Sequence, residues 1–378
     1  MKQPAGIPTF FKNLGEEPLN ALVEKAQDSG QRAIGYTCSY VPRPLLDVDG
    51  IFGVRLRAPG VTGTPMADTY LSNVICSVTR SIMELALEGA YSNLGGWVFA
   101  SSCDHMRRLY DNLDYLEPLE FVHILDVPHK RGEAATAWMK EELEMLADKL
   151  AEHFGVDTGQ AALAGSIKEH NRLLAILRGL DSLRRRDAPP LSGAQYQMLM
   201  VAATSSPRSL IIEPLENLLK ELEGASEGID DYRARLLLAG SNCDDPGYIR
   251  VIESTGGLVV GDRTCTGSIP ALKPLSEEGD PLFALARHSL DNISCPRMME
   301  EFAARAREIM EAVKLTRADG VVLETMKFCD TWGVEASPLV SVLREQGIPV
   351  LRLEREYTMS SEGQLQTRVQ AFLESMGR

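Results

Sequence analysis

None of the seven cysteines forms a Cys-x-x-Cys pair, so local spacing offers neither a zinc ribbon nor a thioredoxin-type redox motif. Other familiar signatures are missing too. There is no GxxxxGK followed by Ser or Thr and no GxGxxG after a strand, which leaves ATP and dinucleotides without a phosphate cradle in this chain. HExxH is absent. The letters Gly224-Ala-Ser226-Glu-Gly228 spell GxSxG, but they follow a charged helix-like stretch where a nucleophile turn needs a strand, so we read a polar linker. No uncharged apolar run approaches the roughly 18 residues that cross a bilayer, which argues against an integral membrane protein. The stretch Met1 to Gly15 lacks the hydrophobic segment of a secretory signal, so a cytoplasmic location is expected. Positive charge is also short. With 39 Lys and Arg against 53 Asp and Glu, the net charge is −14, which disfavours a nucleic-acid partner. The one dense basic run, Arg184-Arg185-Arg186, ends a helix-like stretch, where cations complement the helix dipole.

What is present is a chain of 378 residues, enough for two or three units at roughly 100 to 200 residues each. Its 44% apolar and 24% charged residues match a soluble globular protein. Cysteines in a reducing compartment are not expected to form structural disulfides, which leaves packing, metal binding or redox work.

Periodicity divides the chain. After a helical lead-in around Leu19 to Gln31, strands are expected at Ala33–Thr37, Trp97–Ala100 and Glu120–Val127, with helices at Ser77–Leu87 and Asp104–Leu113 between them. From Gly132 to about Gly224 apolar residues recur at helical spacing, which predicts three to five helices. A second alternating region has strands at Ala234–Ala239, Leu258–Gly261, Gly320–Glu324 and Pro349–Leu353. Its helices are expected at Tyr248–Ser254, Met298–Leu315, after Cys329 to about Glu345, and Gln364–Met376. Alternating strands and helices imply parallel sheets with right-handed crossovers. The expected architecture is α/β, with two flavodoxin-like or Rossmann-like domains at 1–131 and 225–378 and a helical section at 132–224.

Ligands of open parallel sheets bind beyond the carboxyl ends of the strands. Cys38, Cys103, Cys243, Cys265 and Cys329 each follow an expected strand within a few residues, which points to ligation over random core packing. Thiolates suit iron–sulfur clusters, zinc or copper. A structural zinc site usually draws a close ligand pair from one loop, and here every spacing is long, so a cluster held between domains is the better fit. His105 beside Cys103 reads as a hydrogen-bond donor near such a group or as a surface histidine at a helix start; Phe328 and Trp332 read as an apolar shell around Cys329 or as ordinary core.

Five segments carry a family resemblance: Tyr36-Thr-Cys38-Ser-Tyr-Val-Pro42, Ile75-Cys76-Ser-Val-Thr-Arg80, Ser102-Cys103-Asp104, Lys327-Phe-Cys329-Asp330 and Gly363-Gln-Leu-Gln-Thr-Arg368. They resemble the 2-hydroxyacyl-CoA dehydratase and benzoyl-CoA reductase superfamily, from about Ala33 to Phe372. The resemblance implies paired flavodoxin-like domains and a separate ATP-hydrolysing iron–sulfur activator that supplies low-potential electrons. By it, Cys76, Cys103 and Cys329 match the three ligands of a four-iron four-sulfur (4Fe-4S) cluster. Cys38, Cys265 and Cys295 are similar to the three further ligands of the double-cubane branch, whose cluster is 8Fe-9S. Cys243 is expected to be a non-ligand. The sequence departs from dehydratases in Arg43-Pro44 after Pro42, and the segment Arg55 to Tyr70 has no counterpart.

The resemblance thus implies an oxygen-sensitive iron–sulfur reductase with a double-cubane-type cluster on Cys38, Cys76, Cys103, Cys265, Cys295 and Cys329. The alternatives are an acyl-CoA-acting dehydratase or benzoyl-CoA reductase subunit with one cluster, and a non-catalytic zinc or cluster-carrying scaffold. The expected partners are the activator, a second subunit in a homodimer or a heterodimer with a homologue, and a small-molecule or acyl-CoA substrate.

Overall fold

The computed structural model describes residues 6–117, 119–359 and 361–378. Among them are two four-stranded sheets, parallel throughout. The first has strands β1 (Arg32–Tyr36), β2 (Ile51–Arg55), β3 (Gly96–Ala100) and β4 (Phe121–Leu125) in the order β2-β1-β3-β4. The second has β5 (Ala234–Gly240), β6 (Gly257–Arg263), β7 (Gly320–Met326) and β8 (Val350–Arg355) in the order β6-β5-β7-β8. Every residue of β2, β3, β5 and β7 is buried, because helices cover both faces and leave no reason for polar alternation. The expected α/β class with two parallel sheets and helices between them is what the chain adopts.

The strand order reverses between β1 and β3 in the first sheet and between β5 and β7 in the second. At such points successive connections leave in opposite directions and open a crevice at the carboxyl ends of the strands. Cys38 and Cys103 follow the strands flanking the first crevice, Cys243 and Cys329 those flanking the second. The chain crosses closely here: a Cβ on Gly240, which has φ +136°, would lie 1.7 Å from the Glu324 carbonyl oxygen, so β5 can leave its sheet beside β7 only through glycine.

Four helices, Glu133–Phe154, Gln160–Leu183, Gly193–Ser205 and Arg208–Glu223, stand between the sheets in sequence. They do not form an insulated linker. One apolar core joins Ile34 and Val98 of the first sheet, Leu143, Leu177 and Leu199 of these helices, and Leu285 and Ile293 from beyond the second sheet's β6. Arg184 is part of the same joint. It is buried, pairs with Asp181 on its own helix and with Asp262 of β6 at 2.8 Å, and lies 3.7 Å above the Tyr196 ring. The basic run therefore begins with an internal tie as well as ending a helix.

Three expectations need correction. The strand β2 was not read from the sequence; it ends at Arg55, the first residue of the segment without a counterpart, and Gly53 interrupts its apolar pattern. A helix at Pro281–Asn292 was not read from the sequence, and the next helix starts at Phe302 instead of Met298. Glu300, at φ 67°, breaks the helical path, so Met298 to Glu301 stay outside the helix. Among the described residues no helix is long and apolar enough to cross a membrane.

Candidate cysteine-lined site

Three cysteines share one local geometry. Cys76, Cys103 and Cys329 are the N-cap residues of the helices Ser77–Leu87, Asp104–Leu116 and Asp330–Glu345, and none uses its side chain to cap. Each thiol thus stands at the positive end of a helix dipole, beside first-turn backbone N–H groups, a setting that favours a thiolate or an anionic group. The residue before Cys329 is held in the left-handed region: Phe328 has φ 62°, a conformation costly for a bulky side chain. Its ring is partly exposed with Lys327 Nζ 5.1 Å from the centroid, while Trp332 is buried in the core of the second sheet.

His105 ties the three helix starts together. It is buried, not on the surface; its Nδ1 accepts the Cys76 N–H at 3.1 Å, and its Nε2 lies 3.2 Å from the Asp330 carboxylate next to Cys329. Since Nδ1 accepts, the ring proton sits on Nε2 and faces the carboxylate. A second link crosses the domains through Ser77, whose hydroxyl accepts the Tyr357 N–H at 2.8 Å and lies 3.3 Å from the Met326 sulfur.

Cys38, Cys265 and Cys295 lie on turns instead. Ser39 Oγ donates to the Cys265 carbonyl at 2.8 Å, Arg55 Nη1 donates to the same carbonyl at 3.0 Å and to Ser39 Oγ at 2.7 Å, and Arg55 Nη2 lies 3.9 Å from Cys265 Sγ. The Cys265 turn is shaped from behind by Asp262, whose Oδ1 accepts the Ser268 N–H at 2.7 Å while its Oδ2 holds Arg184. Cys295 follows the helix Pro281–Asn292, and its carbonyl accepts from Arg305 Nη1 at 2.9 Å. Two residues later the buried Arg297 reaches into the first domain. It donates to the carbonyls of Ser102 at 3.0 Å, Val127 at 2.8 Å and Pro128 at 2.7 Å, and lies 5.0 Å from the centroid of the Tyr40 ring. One side chain so fixes the Cys295 turn against the residues before Cys103 and after Cys38.

Burial raises five of these thiols, and neighbouring cysteines add to the rise in four of them. Burial pushes Cys103 up to about 12, with the charges of Cys76, Cys329 and Cys38 adding to the rise. Burial likewise raises Cys76 to about 11, helped by Cys329, and Cys265 to about 11, where Arg55 opposes and Cys38 and Cys329 add. Cys295 is raised by burial, then by Cys38, Cys265 and Cys329; Cys329 is raised by burial. Cys243 stands apart. It is fully buried, its N–H donates to Thr266 Oγ1 at 2.9 Å, and the charges acting most on its raised thiol belong to Arg355, Glu324, Asp244 and Asp245 instead of another cysteine.

The donor set suits a polynuclear group. Among the described residues no three or more His, Cys, Asp or Glu side chains are arranged to hold a single metal ion. Three thiols at helix starts and three on turns offer soft sulfur donors, the ligand type that iron–sulfur clusters take. Desolvation makes bare thiolates costly here, so these side chains are suited to carry charge only against bound cations.

The sequence offered no signal for Arg55 and Arg297, since their partners at Cys265 and at Ser102, Val127 and Pro128 lie far along the chain, nor for Arg305, which meets Cys295 across an irregular segment. In sequence His105 reads as a hydrogen-bond donor beside Cys103 or as a surface histidine; the structure buries it, with Nδ1 accepting the Cys76 N–H and Nε2 facing Asp330.

Residues 38–376 match the family model described as 2-hydroxyglutaryl-CoA dehydratase, D-component. Curated relatives span almost the same length. The chain is 24% identical to the (R)-phenyllactyl-CoA dehydratase beta subunit of Clostridium sporogenes, covering 97% of each chain. It is 25% identical to the beta subunit of lactoyl-CoA dehydratase of Anaerotignum propionicum over 100% of both. With a benzoyl-CoA reductase subunit of Thauera aromatica the identity is 26%, covering 90% of this chain and 89% of the other. A fold of two parallel sheets, crevices lined by cysteine and a match over nearly the whole length lead to one assignment: this chain belongs to the 2-hydroxyglutaryl-CoA dehydratase D-component family, within the 2-hydroxyacyl-CoA dehydratase and benzoyl-CoA reductase superfamily.

Proposed function

We propose that the chain is an oxygen-sensitive iron–sulfur reductase of this superfamily, with Cys38, Cys76, Cys103, Cys265, Cys295 and Cys329 holding a double-cubane-type cluster and an ATP-hydrolysing activator delivering its electrons. One observation carries the reading: Cys76, Cys103 and Cys329 begin three helices whose starts His105 holds together, Cys38, Cys265 and Cys295 lie on turns tied in place through Ser39, Arg55 and Arg297, and the buried Cys243 belongs to neither set. When bound, such a cluster would supply one-electron chemistry at low potential.

The protein's own residues do the rest. Cys76, Cys103 and Cys329 would hold one half at three helix N-termini, whose dipoles offset negative charge, and His105 fixes the spacing of those termini. Cys38, Cys265 and Cys295 would hold the other half, with the Arg55 guanidinium beside Cys265 and Arg297 locking the Cys295 turn. Cys76 is buried and the other five are partly covered, which limits the access of water to both sets.

A second reading has its own support, because the curated relatives named above are dehydratase beta subunits and a benzoyl-CoA reductase subunit. In it, Cys76, Cys103 and Cys329 hold a single 4Fe-4S cluster, an acyl-CoA is the substrate and the enzyme is finished by a homologous partner. Anaerobic turnover with activator, ATP and reductant separates the two. The first reading expects ATP-dependent reduction of a small molecule by this chain with its activator alone. Elimination of water from a 2-hydroxyacyl-CoA, or reduction of an aromatic acyl-CoA, obtained only with a second subunit present, would replace it with the second.

A further inference from the structure

Next to the turn-borne cysteines lies a cavity of ≈ 70 Å³ that neither reading uses. Its walls come from several parts of the chain. Leu174 and Leu177 belong to the helix Gln160–Leu183, Ala203 to the helix Gly193–Ser205, and Ile293 to the segment just before Cys295, so the lining is mostly apolar. Ser39 and Arg55 also line it, and these two residues hydrogen-bond the Cys265 carbonyl. One side of the cavity is therefore the back of the cysteine site.

The charges bordering the cavity are already engaged. Arg43 pairs with Asp47 at 2.8 Å and donates to the carbonyls of Ala203 and of Ser206, the latter at 2.7 Å; Arg55 is taken up by Ser39 and Cys265. Among the described residues no carboxylate lines the cavity. His170 does, and its buried Nδ1 has no hydrogen-bond partner. Burial pushes this imidazole well below its usual range, and Arg43, Arg208 and His288 add to the shift, so the ring is neutral at physiological pH. His288, on the same wall, is lowered by burial as well and bonds the Lys273 carbonyl at 3.0 Å.

We propose that this cavity is a binding chamber for a small neutral molecule of a few heavy atoms, with an apolar body and one polar end that hydrogen-bonds His170. Size sets the upper limit, since ≈ 70 Å³ is about half of the roughly 150 Å³ apolar cavity that takes benzene. Charge sets the class, because the lining offers a cation no carboxylate and an anion only guanidinium donors already bonded to Asp47, Ser39 and backbone carbonyls, so an ion would lose its water without a free partner. The acyl thioester of a coenzyme is too large to occupy it. The chamber's bearing on substrate choice rests on the reading under Proposed function; the binding site itself does not.

The test uses crystals of the anaerobically purified full chain, pressurised with xenon or soaked in methanol. Xenon should occupy the chamber, and methanol should place its hydroxyl within hydrogen-bonding distance of His170 Nδ1. Ala203→Leu should abolish both; Leu174→Phe, which narrows the chamber from the other helix, serves if that variant does not fold. His170→Leu should lose methanol and keep xenon. An empty chamber in the unmodified protein, or methanol binding unchanged in His170→Leu, overturns the proposal. Iron is measured on the same crystals. Xenon without iron would keep the chamber and remove the cluster reading, and iron without xenon would do the reverse.

Discussion

Replacing Arg297 by Met should break the join between the Cys295 turn and the first domain while keeping most of the side-chain volume. Arg297 donates to the carbonyls of Ser102, Val127 and Pro128 at 3.0, 2.8 and 2.7 Å. A hydrogen bond from a charged donor is worth about 1.5–3 kcal/mol net, so three sum to roughly 5–9 kcal/mol before relaxation. Removing one partner from a buried charged network typically costs about 3–5 kcal/mol, because water and local movement recover part of the loss. We expect a destabilisation of that smaller size in urea unfolding followed by tryptophan fluorescence. Arg297→Lys should fall between the two proteins, since an ammonium on a flexible stem cannot present the fork that reaches three carbonyls. The same substitution should lower the iron bound per chain, because Cys295 loses its fixed position. A loss under about 1 kcal/mol together with unchanged iron would refute the reasoning, since a fully desolvated guanidinium cannot be removed so cheaply if it holds the turn.

Three further perturbations follow from the geometry. His123 on β4 is held down to about 4 by burial and then by Lys149, whose Nζ lies 3.3 Å from Nδ1. Between about pH 6.5 and 4 the unfolded chain binds a proton that the folded chain refuses, so stability falls with pH in that window by up to about 3 kcal/mol; His123→Leu should flatten urea midpoints measured across it. Cys243→Ala should cost about 1–2 kcal/mol for the lost buried sulfur and leave iron per chain unchanged, which metal analysis would check. Phe328→Asn should stabilise the chain by about 0.5–1 kcal/mol, because asparagine tolerates φ 62° better than an aromatic residue; a lower thermal midpoint would show that the Phe328 ring contributes more than its strain costs.

Much of the fold could be read from apolar periodicity. The helix Ser77–Leu87 begins and ends where its pattern does, and β5 and β7 stand out as continuous apolar runs between turn signals. Where the pattern was interrupted the reading failed, as at β2 with Gly53 inside it and at the helix that Glu300 delays to Phe302. The candidate site was legible in a different way. Strand ends marked where Cys38, Cys103, Cys265 and Cys329 would gather, but Cys76 and Cys295 entered only through the family resemblance, since no strand precedes them directly. The groups that position the cysteines left no trace in sequence. Arg297 finds its partners around residues 102 and 128, and Arg184 reaches Asp262, through contacts that only the packed fold creates.

The central claim is that six thiols, in two sets of three, surround one iron–sulfur site. Iron and acid-labile sulfide per chain, measured after anaerobic purification, test it most directly when repeated on single Cys→Ser variants. We expect about eight irons in the unmodified chain and a clear loss when any one of Cys38, Cys265 and Cys295 is replaced, as for Cys76, Cys103 and Cys329. About four irons, with no change in the Cys38, Cys265 and Cys295 variants, would contradict the account and leave a single cluster on the helix-capping set.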